Sequence, residues 1–304
     1  MQQKDSRNEC CIRCQFIIFM PNKPDKFGVK FWMLAEVKTK YIVAIIPYLG
    51  KEDNGIERVR SLSEEVVLNL LESVKNKGYN LTMDNYFTSL SLAAQLKALG
   101  TSLTGTMREN RKELPKDFLK SDKQALYRSS FFINEPTGAL LCKYNCKKNK
   151  TVAILSTMHN KPDVDMNSEK RKPEVIHFYN KHKVGVDTVD SMARFYSTRC
   201  STRRWPVAVW CNVLDLVGIN SWIIFKDSTG RNISRQYFLF ELVDQLREKY
   251  VSGRSIQLAP SITGIEKQYG EFLNTCRLST FLNRSLLLFL LFRSYAYALS
   301  FLRL

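Results

Sequence analysis

Tyr79-Asn80-Leu81-Thr82-Met83-Asp84-Asn85-Tyr86-Phe87-Thr88-Ser89 decides how this chain is read. Tyr79 to Met83 has the make-up of a brief strand, and that strand ends on an acid. Ser89 or Ser91 then caps a helix running through Leu99 and closed by Gly100. An acid at the C-terminal end of a strand is where open α/β sheets hold their ligands. A second acidic motif, Gly185-Val186-Asp187-Thr188-Val189-Asp190, lies far downstream in a helical pattern. One helical turn separates Asp187 from Asp190, so the two share a helix face. Carboxylates on separate elements are what a two-metal phosphoryl-transfer site requires, its ions roughly 3.5–4 Å apart. Each acid also has an ordinary local reading: Asp84 as a turn or cap residue, Asp187 as an N-cap.

Upstream of this stretch, Ile12 to Met20 suits a strand closed by the turn-rich Pro21-Asn22-Lys23-Pro24. Val29 to Glu36 and Tyr41 to Tyr48 are β-branched and aromatic runs joined by the short Val37-Lys38-Thr39-Lys40. Three successive strands predict an antiparallel meander. Asp53-Asn54-Gly55 marks a turn. Ser61 and Glu64 form a capping box, with the glutamate expected to reach back to the cap. Val67, Leu70, Leu71 and Val74 continue that helix, and Gly78 stops it. Thr101 to Met107 is a further strand. Meander, helix, strand, helix, strand is an α/β order with mixed strand directions, and a ribonuclease-H-like sheet has this order.

Beyond Met107 the chain becomes polar from Arg108 to Lys123. Leu126 to Ile133, Ala139 to Tyr144 and Thr151 to Thr157 then read as short strands of a β-rich insertion. Asn160 to Pro173 is a polar linker, and Val175 to Tyr179 a strand or a lead-in. From Val186 the pattern is helical, with Val189, Met192 and Phe195 or Tyr196 placed to point inward. Trp205-Pro206 opens another helix, its proline in the first turn, with Val209, Val213, Leu216, Val217 and Ile224 as its apolar face. Ser234 to Tyr250 forms a third helix carrying Phe238, Leu242 and Leu246 on one stripe.

Charge narrows the partners. The 304 residues carry a net charge of +17, which points to a polyanion. At 44% hydrophobic and 12% aromatic the chain can bury a core, which argues against wholesale disorder. The eight cysteines are scattered, so they read as reduced thiols rather than a secreted disulfide framework. Cys142 and Cys146 lack the second pair that zinc requires and read as two thiols on one strand or turn. Ser285 to Phe292 (SLLLFLLF) is short for a spanning helix. The readings open for that end are an interfacial helix, an aberrantly translated gene end and, less favoured, a tail anchor; a membrane is not the expected partner.

The motifs taken together resemble the piggyBac-type transposases, a DDE/D family with a ribonuclease-H-like catalytic domain. The matching stretches are Met20-Pro-Asn-Lys-Pro-Asp-Lys-Phe-Gly28, Pro47-Tyr-Leu-Gly50, Asp84-Asn-Tyr-Phe-Thr-Ser89 and Gly105-Thr-Met-Arg108. Tyr179-Asn180 with Gly185-Val-Asp-Thr-Val-Asp190, Arg204-Trp-Pro206 and Ile219-Asn-Ser221 complete them. Each is weak alone; their order and spacing are specific, and they cover Arg13 to Tyr250. The resemblance implies an α/β, ribonuclease-H-like mixed sheet with a β-rich insertion, followed by a helical segment. Its expected divisions are 1–108, the first part of the catalytic domain, and 109–173, the insertion. They continue with 174–198, the catalytic part carrying the third acid; 199–252, a helical DNA-binding or dimerisation-like segment; and 253–304, a linker and apolar tail.

The resemblance further implies metal-dependent DNA strand cleavage and transfer at transposon ends, at TTAA targets, in the nucleus. Asp84 takes the place of the second acid and Asp187 the third, with Asp190 beside it, together holding Mg²⁺ or Mn²⁺ in a two-metal site. Carboxylates are the hard oxygen ligands such ions prefer. No zinc is expected, since the family's cysteine-rich domain has no counterpart. A homodimer is compatible with the family. Arg108, Arg111, Lys112, Lys183, Arg203, Arg204 and Trp205 are the expected DNA contacts; Trp205 suits either base stacking or a core.

The chain departs from the family at its first acid. Counting back from Met20 without a gap puts Lys4 there, with Asp5 adjacent. The family's N-terminal helices lack a counterpart too, so the sequence reads as truncated at both ends, with impaired catalysis. The rival expectations are a domesticated DNA- or chromatin-binding protein without catalysis and a broken gene product.

Overall fold

The computed structural model describes residues 16–21, 26–50, 61–109, 111–119, 125–148, 150–202 and 204–252. The readings made above for Lys4, Asp5, the Asp53 turn, Arg203 and the apolar tail lie outside the described residues. The chain divides into two compact units, Met1–Ser191 and Met192–Leu304.

In the first unit, β1 (Ile17–Phe19) pairs antiparallel with β2 (Phe27–Val29), and β3 (Phe31–Ala35) with β4 (Ile42–Pro47). The expected strand from Val29 to Glu36 is therefore two strands, and the expected meander is two separate hairpins. The division falls at Lys30, because the residues on either side of it bond to different partners: Val29 faces Ile17, and Phe31 faces Pro47.

Helix α1 (Leu62–Leu70) begins as expected, with Ser61 accepting from the Glu64 N–H at 3.4 Å. The other half of the capping box is absent. The Glu64 carboxylate is buried and accepts from the Ser89 hydroxyl at 2.8 Å, a partner distant in sequence. Ser89 is the N-cap of α2 (Leu90–Ala98) and accepts from Leu92 N–H at 3.0 Å. One hydroxyl thus serves both helix starts, which a local motif cannot encode. The first helix also stops well before Gly78, its last turn tightening into a short 3₁₀ segment, Glu72–Val74.

Among the described residues the main sheet has five strands in the order β5-β6-β9-β8-β7. These are β5 (Asn80–Met83), β6 (Ser102–Met107), β7 (Ser129–Asn134), β8 (Ala139–Lys147) and β9 (Lys150–Ser156). Only β5 and β6 are parallel; the other pairings are antiparallel. The sheet is the mixed α/β, ribonuclease-H-like arrangement that the family resemblance implied; the order of elements alone did not single it out. The strands from 129 to 156 extend it directly, since β9 pairs with β6.

Both faces are covered, which explains the continuous apolar runs in β8 and β9. Side chains alternate along a strand. Leu141, Ala153 and Leu155 pack with Leu92, Ala93 and Leu96 of α2 on one face. Cys142, Tyr144 and Ile154 pack on the other with Val175 and Ile176 of α4 (Glu174–His182). The segment Val175 to Tyr179 is thus helical, not a strand: Pro173 is the N-cap of α4, and the adjacent Val175 and Ile176 are buried in one cluster, where a strand would send them to opposite faces. Cys142 and Cys146 both lie on β8, and burial pushes the Cys142 thiol up to about 12. A four-residue helix, α3 (Lys116–Leu119), precedes β7.

Helix α5 (Gly185–Arg194) buries Val189 completely. Phe195 and Tyr196, expected to point inward, are exposed because the helix has ended and the backbone turns at Tyr196, where φ is 57°.

In the second unit, α6 (Trp205–Thr229) starts with Pro206 in its first turn and ends at Gly230 in the left-handed region. Its buried residues are Cys211, Leu214, Leu216, Gly218 and Ile219. The inward face is offset from the one expected, and Ile224 is exposed. The cause is α7 (Arg235–Ser252), which seats Phe238 against Phe225 and lays Leu239 over Gly218. The turn between them is held by Trp222 donating to the Ile233 carbonyl at 2.9 Å and by an Arg231–Glu241 pair at 2.9 Å. By length and hydropathy α6 could cross a membrane, although the packed helix of such a hairpin has the same composition.

Candidate functional site

Asp84 stands where β5 ends. Its Oδ1 accepts from the Tyr86 N–H at 3.0 Å, an Asx turn, and its carbonyl accepts from the buried Thr88 hydroxyl at 2.8 Å. This turn is seated on β6 through Gly105. A Cβ added there would lie 2.2 Å from Thr88 Oγ1 and 3.0 Å from the Met83 carbonyl. Only a glycine permits so close an approach. The turn's aromatics fix its other side: Tyr86 stacks on Trp32 at 5.4 Å and Phe87 meets the same indole edge-on at 5.2 Å. The backbone of Asp84 is therefore anchored on two strands while its carboxylate stays exposed.

The downstream motif reaches the same region through α4 and α5. Tyr179 is tied to β6 by its hydroxyl, 3.4 Å from Thr106 Oγ1. Burial pushes the Tyr179 phenol up, the bond to Thr106 pulls the other way, and the charges of both Asp84 and Asp187 add to the rise. Two acids a hundred residues apart in sequence thus act on one phenol. Gly185, at the start of α5, lies against the β3–β4 hairpin, 3.7 Å from Val37 by its added Cβ. Asp187 falls in the first turn of that helix, where the macrodipole favours an anion. Asp190 is exposed one turn further on. Among the described residues no group of three or more His, Cys, Asp or Glu side chains is placed to hold one ion. The acids themselves offer exposed carboxylates, the hard oxygen donors that divalent cations take.

The expected basic contacts divide by unit. Arg108 donates from Nε to Asn85 Oδ1 at 3.3 Å, so it lies against the Asp84 turn. The Lys183 ammonium is 5.7 Å from the Tyr179 ring. Arg111 and Lys112 follow in the turn after β6, the first half-buried and the second exposed. Arg204 and Trp205 belong to the second unit, where Arg204 is the exposed N-cap of α6 and Trp205 is half-buried.

Two residues escaped the sequence reading. Lys30 lies over the Trp32 ring, 3.5 Å from its centroid, close enough to Asp84 for that charge to act on it. The available signal was its being the one charged residue between Phe27 and Ala35. Asp215, in α6, accepts from Ser197 Oγ and Thr198 N–H, both at 2.6 Å. No local signal marks it.

The comparisons agree with this architecture. The family model described as Transposase IS4 matches residues 6–222. Human PiggyBac transposable element-derived protein 3 is 28% identical over 223 residues, covering 68% of this chain and 37% of that protein. Human PiggyBac transposable element-derived protein 2 is 23% identical over 222 residues, covering 67% of this chain and 36% of that protein. The chain therefore spans little more than a third of these relatives. A cryo-EM structure of a piggyBac transposase synaptic complex with hairpin DNA superposes with a TM-score of 0.73 and 30% identity, covering 86% of this chain and 54% of that one. The mixed sheet, the acid at the end of β5 and the matched length converge: this chain belongs to the piggyBac transposase family.

Proposed function

We propose that this polypeptide is a DNA-binding derivative of a metal-dependent strand-transfer enzyme, with Asp84, Asp187 and Asp190 as the acids inherited for Mg²⁺ or Mn²⁺. The observation that carries the reading is the anchored Asp84 turn at the end of β5, its side chain exposed and Arg108 held against it through Asn85. When bound, such ions would activate water or a 3′-hydroxyl and offset charge on the leaving oxygen. The Asp84 turn and the first turn of α5 hold two of the acids on rigid elements. Arg108 and Lys183 supply positive charge beside them, suited to the phosphates of a duplex. Arg111, Lys112, Arg203, Arg204 and Trp205 complete the proposed DNA contacts. By resemblance the proposal extends to transposon ends, TTAA targets, a homodimer and action in the nucleus.

An ungapped count along the sequence puts Lys4 at the place of the family's first acid, and a cation at that place would repel the metals that such a site requires. The polypeptide of 304 residues is accordingly proposed to bind DNA and to cleave it feebly or not at all. The neighbouring reading is a domesticated DNA- or chromatin-binding protein that keeps the fold without the catalysis. Titration of labelled duplex at several salt concentrations, together with cleavage of a hairpin-forming transposon end in Mg²⁺ or Mn²⁺, tests both. Salt-sensitive binding with a log–log slope near −0.9 per phosphate neutralised, and no cleavage, is expected. Robust cleavage lost in Asp84→Ala would overturn the inactivity and keep the site; no binding at low salt would remove DNA as the partner.

A further inference from the structure

Lys30 sits between β2 and β3, the single charge in an apolar run. Its ammonium lies 3.5 Å from the Trp32 ring centroid and 5.4 Å from that of Tyr86. The two rings stack nearly parallel, at 14°, so they form one platform. Trp32 is 8% exposed and therefore fixed by the core, which limits the rotamers open to the lysine above it. Tyr86 belongs to the Asp84 turn and donates its N–H to Asp84 Oδ1. The residue that supports the cation and the acid beside it are thus two positions of one rigid turn.

A ring face attracts an ammonium but accepts none of its hydrogen bonds in the way an oxygen does. Among the described residues no oxygen accepts from Lys30 Nζ and no carboxylate forms an ion pair with it. Burial pushes this ammonium down, and only the Asp84 charge pulls it back up. The group is thus positioned, partly dehydrated and short of acceptors. A phosphodiester supplies what it lacks, a negative charge and several strong acceptor oxygens. It would also meet a cation on the flank of Asp84, offsetting the repulsion between carboxylate and phosphate.

We propose that Lys30 is a phosphate-contacting residue of the Asp84 site, its ammonium held by the Trp32–Tyr86 platform to donate to a nucleic-acid backbone oxygen. The proposal rests on the DNA-binding reading above and adds a residue to it.

The experiment is titration of labelled duplex by the full chain at several salt concentrations, for the parent, Lys30→Gln, Lys30→Met, Lys30→Arg and Lys75→Gln. Lys75 is a surface lysine paired with Glu72 and serves as the control for general charge. Thermal denaturation of each variant accompanies the titration. Lys30→Gln and Lys30→Met are expected to flatten the slope of log K against log salt by about 0.9, the loss of one phosphate contact. Lys30→Arg should keep the parent slope. The proposal is overturned if Lys30→Gln keeps the parent slope, or flattens it no more than Lys75→Gln. It is also overturned if Lys30→Arg loses as much as Lys30→Gln, or if the Gln and Met variants both fail to fold, since Lys30 would then act through packing. A parent chain that binds no DNA would sink the proposed function and this proposal together, an outcome distinct from all of these.

Discussion

Asp84 and Asp215 are the same residue put to opposite uses in the two units of the chain. Asp215 is half-buried on α6, its carboxylate taking hydrogen bonds from Ser197 and Thr198, with the Arg235 guanidinium near enough to offset its charge. Burial pushes the Asp215 carboxyl up from the ordinary carboxylate range, and those partners work against the rise. Arg235 in turn donates to the carbonyls of Met192 and Phe195, so the carboxylate ties down the segment before α6. Asp84 is exposed, with its backbone and one carboxylate oxygen committed to a turn. The difference teaches how to read an aspartate. One whose oxygens are taken by its own chain holds structure together; one whose backbone is anchored while its carboxylate faces outward is available to a ligand.

The sharpest way to break the comparison is at the anchor. Gly105→Ala drives a methyl group against the buried Thr88 hydroxyl that fastens the Asp84 turn. Overpacking of this kind should cost about 3 kcal/mol, read by urea denaturation of the sheet unit. Parent-like stability would show that the turn is not seated on β6 in this way.

The second test removes the structural aspartate. Asp215→Ala leaves Ser197 Oγ and the Thr198 N–H without their acceptor and Arg235 without its countercharge. Loss of hydrogen bonds to a charged group predicts a cost of about 2 kcal/mol in the unfolding of α6 and α7, followed by helical circular dichroism. A change below about 0.5 kcal/mol, the range of ordinary surface substitutions, would place Asp215 in the same class as Asp84.

The smallest effect falls on the exposed acids. Asp84→Asn keeps an oxygen for the Tyr86 N–H and should alter stability by less than about 0.5 kcal/mol. It removes a negative charge that raises Tyr179, so the phenol should titrate at lower pH in Asp84→Asn and also in Asp187→Asn. Site-resolved NMR of labelled tyrosine reads this directly. A response to only one of the two substitutions would separate the acids and undo their convergence.

The local sequence was informative wherever structure is local. The strand Asn80–Met83, the acid after it and the Ser89 cap were legible because each rests on the propensities and hydrogen bonds of adjacent residues. Pro206 at the start of α6 and the stripe of Phe238 and Leu246 on α7 were legible for the same reason. The motif order pointed to the family, since the spacing of seven short matches is itself a long-range property.

Packing between distant segments decided the rest. Glu64 satisfies the local rule for a capping box, yet its carboxylate belongs to Ser89, which only the packing of α1 on α2 brings within reach. Lys30 reads as an interruption in a strand until Trp32 and Tyr86 are stacked beneath it. Gly105 reads as one small residue in a strand until Thr88 is found where its side chain would be. The inward face of α6 was misjudged because α7, and not the helix's own periodicity, determines which side is covered. The sequence by itself determined the family and most of the elements, because both rest on short-range patterns and their spacing. Only the tertiary structure decided which acids act on one phenol and which cation stands beside them, because those relations depend on strand pairing and helix docking between residues far apart in the chain.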